Sequence, residues 1–304
     1  MKLQSGVSRV GTELEAAGIR TQYGEMLSGH TTFRIGGPAS LAVFPQDAEE
    51  LIRAVRFCRE AELPYLLLGC GSDVLADDGG YAGAVIFTTE MKRISVCGET
   101  LTAEAGTPLS LCACAARDAS LAGMAFAYGI PGSVGGGVFM NAGAYGGEIV
   151  QILSSVDCYD AEEDRRFTLS AAECALGYRT SVFQKTGYII LRASFALHGG
   201  DREAIRAEMN DYMARRREKQ PLEYPSAGSV FKRPTGYYAG TLIQEAGLKG
   251  CRIGGAQVSE KHAGFIVNVG GATAQDVQQL IARIQQTVEE KYGVRLEPEV
   301  KFVG

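Results

Sequence analysis

The chain has 304 residues, 46% hydrophobic and 21% charged, an ordinary folded composition at a length that calls for two or three domains. Its net charge of −5 and pI near 5.4 exclude the basic surface on which nucleic-acid binding rests. Eight cysteines without a C-x-x-C pair, and only three scattered histidines, argue against a disulfide scaffold, a dithiol centre or a zinc site.

The amphipathic N-terminus lacks the apolar core of a signal peptide, and no segment approaches the roughly 20 apolar residues of a membrane span. The cytoplasm is the expected compartment. Residues 1–27 read as one or two short helices, and 39–44 as a strand. Asp47 opens a helix with Glu50 three residues on, an approximate capping box, and Leu51, Ile52, Val55 and Cys58 form its apolar stripe. A short strand at 63–68 closes on Gly69-Cys70-Gly71-Ser72-Asp73. Strands follow at 81–88, 93–97 and 101–105, then a helix at 108–119 with Pro108 near its first turn.

Next comes the stretch 129–147, GIPGSVGGGVFMNAGAYGG, with eight glycines in nineteen residues and no charge. Glycines allow positive φ and close backbone approach, and successive N–H groups can wrap a phosphate chain without lysines. The competing explanation is a tight crossing of two elements. Beyond it, 149–159, 166–169 and 188–197 alternate as strands. A helix at 201–218 ends in Arg215-Arg216-Arg217, read as a solvated helix end. A domain boundary is expected at Lys219-Gln220-Pro221. A short helix at 239–246, a strand at 264–269, a helix at 274–291 capped by Thr273, and a final strand at 294–303 complete the chain. Strands cluster with helices between them, which predicts an α+β fold rather than a doubly wound sheet.

Four segments carry chemistry. The turn at 69–73 follows a strand but has Val74 where a dinucleotide fingerprint needs its third glycine, so a phosphate turn of another kind fits better. With 129–147 it suggests one extended diphosphate ligand, a nucleotide cofactor. The segment 177–183 holds Arg179 among small polar residues, suited to a carboxylate or, equally, read as a surface arginine beside a packed tyrosine. The segment 225–234 presents Ser229 after a glycine, outside any G-x-S-x-G elbow and with no histidine partner in view. In the last strand, period two sets Val294, Leu296, Val300 and Phe302 on one face and Arg295, Glu297, Glu299 and Lys301 on the other. Nothing local separates Glu297 from Glu299.

In this order the segments resemble the UDP-N-acetylenolpyruvoylglucosamine reductase family. The resemblance runs from about His30 onward through HTTFRIGGPA, GCGSDVLADDGGYAGAVI, AGMAFAYGIPGSVGGGVFMNAGAYGGEI, GYRTSVF, SAGSVFKRP with AGTLIQEAGLKGCRIGGAQVSEKHAGFIVN, and LEPEVKFVG. It implies two α+β subdomains clasping FAD in the manner of the vanillyl-alcohol-oxidase group, plus a C-terminal substrate domain. The expected division is an N-terminal helical segment at 1–29, FAD subdomains at 30–95 and 96–218, and the substrate domain at 219–304. FAD, non-covalently bound, is expected on Gly69, Cys70, Gly71, Ser72 and Asp73, and on Ile130, Pro131, Gly132, Ser133, Gly136, Asn141 and Gly143. Arg179 and Glu299 would stabilise an enolic intermediate, Ser229 would donate the proton, and Tyr178, Lys219, Lys232 and Arg233 would contact substrate.

The implied reaction passes hydride from NADPH through the flavin to the enolpyruvyl ether of a UDP-sugar, giving UDP-N-acetylmuramate for peptidoglycan. Asp73 stands where the family usually has asparagine. Only 49 residues separate Arg179 from Ser229, too few for the family's tyrosine-bearing insertion, so the chain resembles the shorter branch. A monomer is expected, with neither nucleic acid nor membrane as partner and no metal. The runner-up is an FAD oxidase of the same clasping fold.

Overall fold

The computed structural model describes residues 2–304. They form two units: one from residues up to Tyr23, Leu41–Cys70 and Gly83–Arg216, the other from Gly24–Ser40, Gly71–Ala82 and Arg217–Gly304.

The first unit is built on an antiparallel five-stranded sheet in the order Arg165–Ser170, Leu153–Asp160, Ile189–Ala196, Thr100–Glu104, Ile94–Cys97. Strand periodicity points Val156, Cys158, Ala193, Phe195, Leu101 and Ala103 into one core. Helix Leu109–Asp118 adds Leu109, Cys112, Ala113 and Ala116, a stripe at spacings of three and four. Pro108 is its N-cap, one position earlier than expected.

A second core joins helices Lys2–Ala16 and Ala48–Glu60 through Val10, Leu14, Leu51, Ile52, Val55 and Cys58. The Asp47 carboxylate accepts from the N–H groups of Glu49 and Glu50, both at 3.0 Å, and so caps the second helix. Glu50 reaches back to the N–H of Gln46 instead of closing a box on Asp47. The accompanying four-stranded sheet has the order Arg20–Met26, Pro38–Phe44, Tyr81–Phe87, Tyr65–Leu68, with the last two parallel. Arg20–Met26 is therefore strand where helix was expected. It lies at the sheet edge, so its residues are mostly exposed and polar and carry no apolar alternation to reveal it.

In the second unit an antiparallel sheet runs Ser226–Ser229, Phe265–Asn268, Ala256–Val258, Arg252–Ile253. Helix Ala274–Tyr292 contributes Val277, Leu280, Ile281, Ile284 and Val288 to the core, and Gly293 ends it in the left-handed conformation at φ 66°. Thr273 and Asp276 form the capping box at its start. Asp78 adds a second cap, accepting from the N–H groups of Ala274 at 2.8 Å and Gln275 at 3.1 Å. Asp78→Ala is expected to lower stability by about 1 kcal/mol, read as a fall in the urea midpoint. Asp78→Asn, which keeps an acceptor oxygen, should recover most of that loss; an unchanged midpoint in the alanine variant would show the cap to be idle.

The expected final strand is shorter than predicted. Only Lys301–Val303 is strand, paired in parallel with Val74–Ala76. Pro298 has no N–H for a ladder, and the Leu296 carbonyl is taken by the Gln285 amide at 2.9 Å. Leu296 and Val300 are buried as the alternation requires, but Phe302 is exposed. Among the described residues no helix is long and apolar enough to cross a membrane.

Candidate active site

In the first unit the two glycine segments meet. A Cβ on Gly69 would lie 2.2 Å from the Ser133 Oγ, so only glycine allows the turn after Tyr65–Leu68 to approach Ser133 this closely. Ser133 caps the short helix Val134–Phe139, its hydroxyl accepting from the Gly136 N–H at 3.4 Å. Bonds from Leu109 N to Gly132 O, Val134 N to Thr107 O and Gly135 N to Ala105 O fix the stretch against residues 105–109. None of the glycines from Gly129 to Gly143 has a positive φ. Their reason is proximity: a Cβ would come within 3.2 Å of Ala105 at Gly135 and 3.0 Å of Leu109 at Gly137. The close-crossing explanation for this stretch therefore holds, with close packing on one side and a bare backbone on the other.

That bare side fits a diphosphate. The backbone N–H groups of Cys70, Gly132 and Ser133 donate to no acceptor among the described residues. Three such donors beside a cradle that a Cβ would fill suit phosphate oxygens. Burial pushes the Cys70 thiol pKa up, which keeps it neutral there. Arg216 of helix Arg202–Lys219 donates to the Gly129 carbonyl, and burial lowers its pKa. It is no solvated helix end, whereas Arg215 pairs with Asp211 one turn earlier at 2.8 Å.

Asn141 is buried and turned inward. Its amide nitrogen donates to Glu148 at 3.0 Å and to the Gly177 carbonyl at 3.1 Å, while its oxygen accepts from the Val150 N–H at 2.9 Å. These bonds reach the tight turn in which Gly177 and Thr180 bond to each other and which carries Tyr178 and Arg179. Arg179 sits at φ 55°, a conformation that costs a non-glycine residue roughly 1–2 kcal/mol. Its guanidinium stands 3.5 Å from the Asn141 carbonyl and 5.2 Å from the centre of the half-exposed Tyr178 ring.

The second unit assembles the other candidates. Gly71, at φ 59°, passes so close to the His30 carbonyl that a Cβ would be 2.2 Å away. Thr32 ties this turn to the serine strand, its N–H donating to Gly71 O at 3.0 Å and its hydroxyl to Ser226 O at 2.7 Å. The Asp73 carbonyl accepts from the Lys301 N–H at 2.9 Å. Gly228, at φ 79°, breaks the register of Ser226–Ser229 against Phe265–Asn268 and leaves Ser229 exposed at the strand end. The next residues run beside the C-terminal segment: Glu299 N donates to Val230 O at 2.7 Å, and Lys232 N to Glu297 O at 2.9 Å.

Glu299 is thus bonded through its backbone to Val230, the residue after Ser229. Glu297 points elsewhere, its exposed carboxylate 2.5 Å from Lys232 Nζ, which holds its pKa below the usual range. Arg233 stacks on Tyr238 at 4.3 Å, and Lys219 is exposed at the end of its helix. Arg179 belongs to the first unit, and Ser229 and Glu299 to the second. Glu148, Gln184 and Arg216 were missed in the sequence, since each acts on a backbone or amide group that only folding brings near.

Residues 39–166 match the FAD binding domain family, and residues 220–303 match the C-terminal domain of UDP-N-acetylenolpyruvoylglucosamine reductase. The fold class is the expected α+β one, an FAD-binding module followed by a C-terminal domain. The chain is accordingly an FAD-dependent oxidoreductase. It is 50% identical over 290 residues to UDP-N-acetylenolpyruvoylglucosamine reductase of Streptococcus uberis, covering 95% of each chain. With the Clostridium novyi protein of the same name it is 47% identical over 279 residues, 92% of this chain and 91% of that one. The solved structure of the Thermus caldophilus reductase matches with a TM-score of 0.81 and 36% identity, over 94% of this chain and all of the other. The chain belongs to the UDP-N-acetylenolpyruvoylglucosamine reductase family.

Proposed function

We propose that the protein reduces the enolpyruvyl ether of UDP-N-acetylglucosamine to UDP-N-acetylmuramate, a peptidoglycan precursor, with NADPH as the reductant. The observation that carries this reading is the backbone bond from the Glu299 N–H to the Val230 carbonyl, which lays the C-terminal segment beside the residue after Ser229, in a chain whose glycine turns suit a diphosphate. FAD, when bound, would supply the hydride chemistry that links NADPH to the enolpyruvyl double bond.

Gly69, Cys70, Gly71, Ser72 and Asp73, with Ile130, Pro131, Gly132, Ser133, Gly136 and Gly143, would hold that cofactor. Asn141 serves it by fixing the loop, because its side chain is engaged with Glu148, Gly177 and Val150. Arg179 pairs with the substrate carboxylate as negative charge develops on it. Glu299, in its protonated form, would donate a hydrogen bond to the same carboxylate. Ser229 delivers the proton to the α-carbon. Tyr178, Lys219, Lys232 and Arg233 bind the sugar nucleotide, with Lys232 tethered meanwhile by Glu297.

The purified protein is expected to carry visible flavin absorption that NADPH bleaches and the enolpyruvyl UDP-sugar restores. A colourless protein that FAD does not reconstitute overturns the reading. Reoxidation by oxygen with a simple sugar or alcohol as reductant, in place of NADPH, would instead indicate an oxidase.

A further inference from the structure

The side chain nearest to controlling Arg179 belongs to a residue with no assigned role. Gln184, in the short helix Phe183–Thr186, donates from its amide nitrogen to the Phe139 carbonyl at 2.9 Å and to the Arg179 carbonyl at 3.1 Å. Both neighbours are carbonyl acceptors, so this end of the side chain must be the NH2 group, and its two hydrogens are both used. On the other side of the turn, Asn141 donates to Gly177 O. The Ser181 hydroxyl adds a bond to Phe139 O at 2.7 Å. The turn from Gly177 to Thr180 is therefore gripped at both ends from the C-terminal end of the glycine helix, and between the grips lies Arg179 with its left-handed backbone. Such a conformation persists only where its surroundings over-determine it.

We infer that Gln184, with Asn141 as the opposite grip, is a positioning residue for Arg179. It fixes the arginine backbone so that the guanidinium meets the substrate carboxylate without a search. The inference rests on the substrate role given to Arg179 above. A glutamate at 184 is the same size but has no hydrogens to give, and it sets a carboxylate against two carbonyls. Methionine keeps the volume without the fork.

The test uses the full-length, FAD-loaded protein and follows the two half-reactions separately. Gln184→Glu and Gln184→Met should each slow reoxidation by the enolpyruvyl UDP-sugar about tenfold to a hundredfold, the scale of a small misplacement. Reduction by NADPH, and calorimetric affinity for UDP alone, should stay at wild-type values. In the double variant Arg179→Ala/Gln184→Glu, reoxidation should match Arg179→Ala within about twofold, since a residue acting through Arg179 has nothing left to position. Wild-type reoxidation in a folded Gln184 variant, or losses that multiply in the double variant, would overturn the inference; Gln184→Met decides it if the glutamate variant does not fold. Normal reoxidation in Arg179→Ala alone would remove the catalytic reading itself, an outcome that the single Gln184 variants do not produce.

Discussion

Ser229→Ala should slow substrate-driven reoxidation of the reduced protein by about 10²- to 10⁴-fold, the usual range for losing a positioned proton donor. Its reduction by NADPH should be nearly unchanged. The serine lies at an exposed strand end released by the Gly228 kink, and its hydroxyl makes no hydrogen bond with the described residues. Removing one oxygen there leaves the neighbouring core of Ala227, Val230 and Phe231 intact, so the loss falls on chemistry rather than on folding. Stopped-flow absorbance of each half-reaction measures this directly. Equal losses in both halves would count against a proton-donor role and point to a disturbed cofactor site.

The second large effect concerns two glutamates only two residues apart. Glu299→Ala should cost about 10²- to 10³-fold in reoxidation, as expected for deleting one donor to a developing anion. Glu299→Gln should be milder, because a carboxamide still donates a hydrogen bond although it cannot carry an acidic proton. At Glu297 either substitution should change the rate severalfold at most, since its carboxylate is exposed and occupied by Lys232. The modest effect expected there is on substrate affinity through the freed lysine. A larger defect at 297 than at 299 would reverse the assignment.

These two glutamates show where the sequence stopped being legible. Strict alternation put both on one face, and what separates them is a hydrogen bond to a lysine 65 residues away, together with a proline that ends the ladder. Helix Ala274–Tyr292 was legible to within a residue because its cap, apolar stripe and terminating glycine are all local. The edge strand Arg20–Met26 was not, because a half-exposed polar strand has no periodicity to read. The glycine stretch was recognised as a close approach, but positive φ accounts for only one of its glycines, Gly146; the other left-handed residues in it are Asn141 and Tyr145. Asn141, read as a cofactor contact, turns its amide toward Glu148 and Gly177, neighbours 7 and 36 residues off. The motifs named the candidate residues, while long-range hydrogen bonds set which way several of their side chains turn.

The strand Lys301–Val303 lies against Val74–Ala76, and Phe33, Ile35 and Leu75 share a core with Leu296 and Val300. This has a consequence for biogenesis. The early segments of the second unit, Gly24–Ser40 and Gly71–Ala82, emerge well before the Arg217–Gly304 segment that covers them. During synthesis Phe33, Ile35 and Leu75 remain without their partners while the first unit, whose last residue is Arg216, can already close. The C-terminal segment that carries Glu299 thus docks last, beside residues made more than two hundred positions earlier, a long-range pairing that is intrinsically slow.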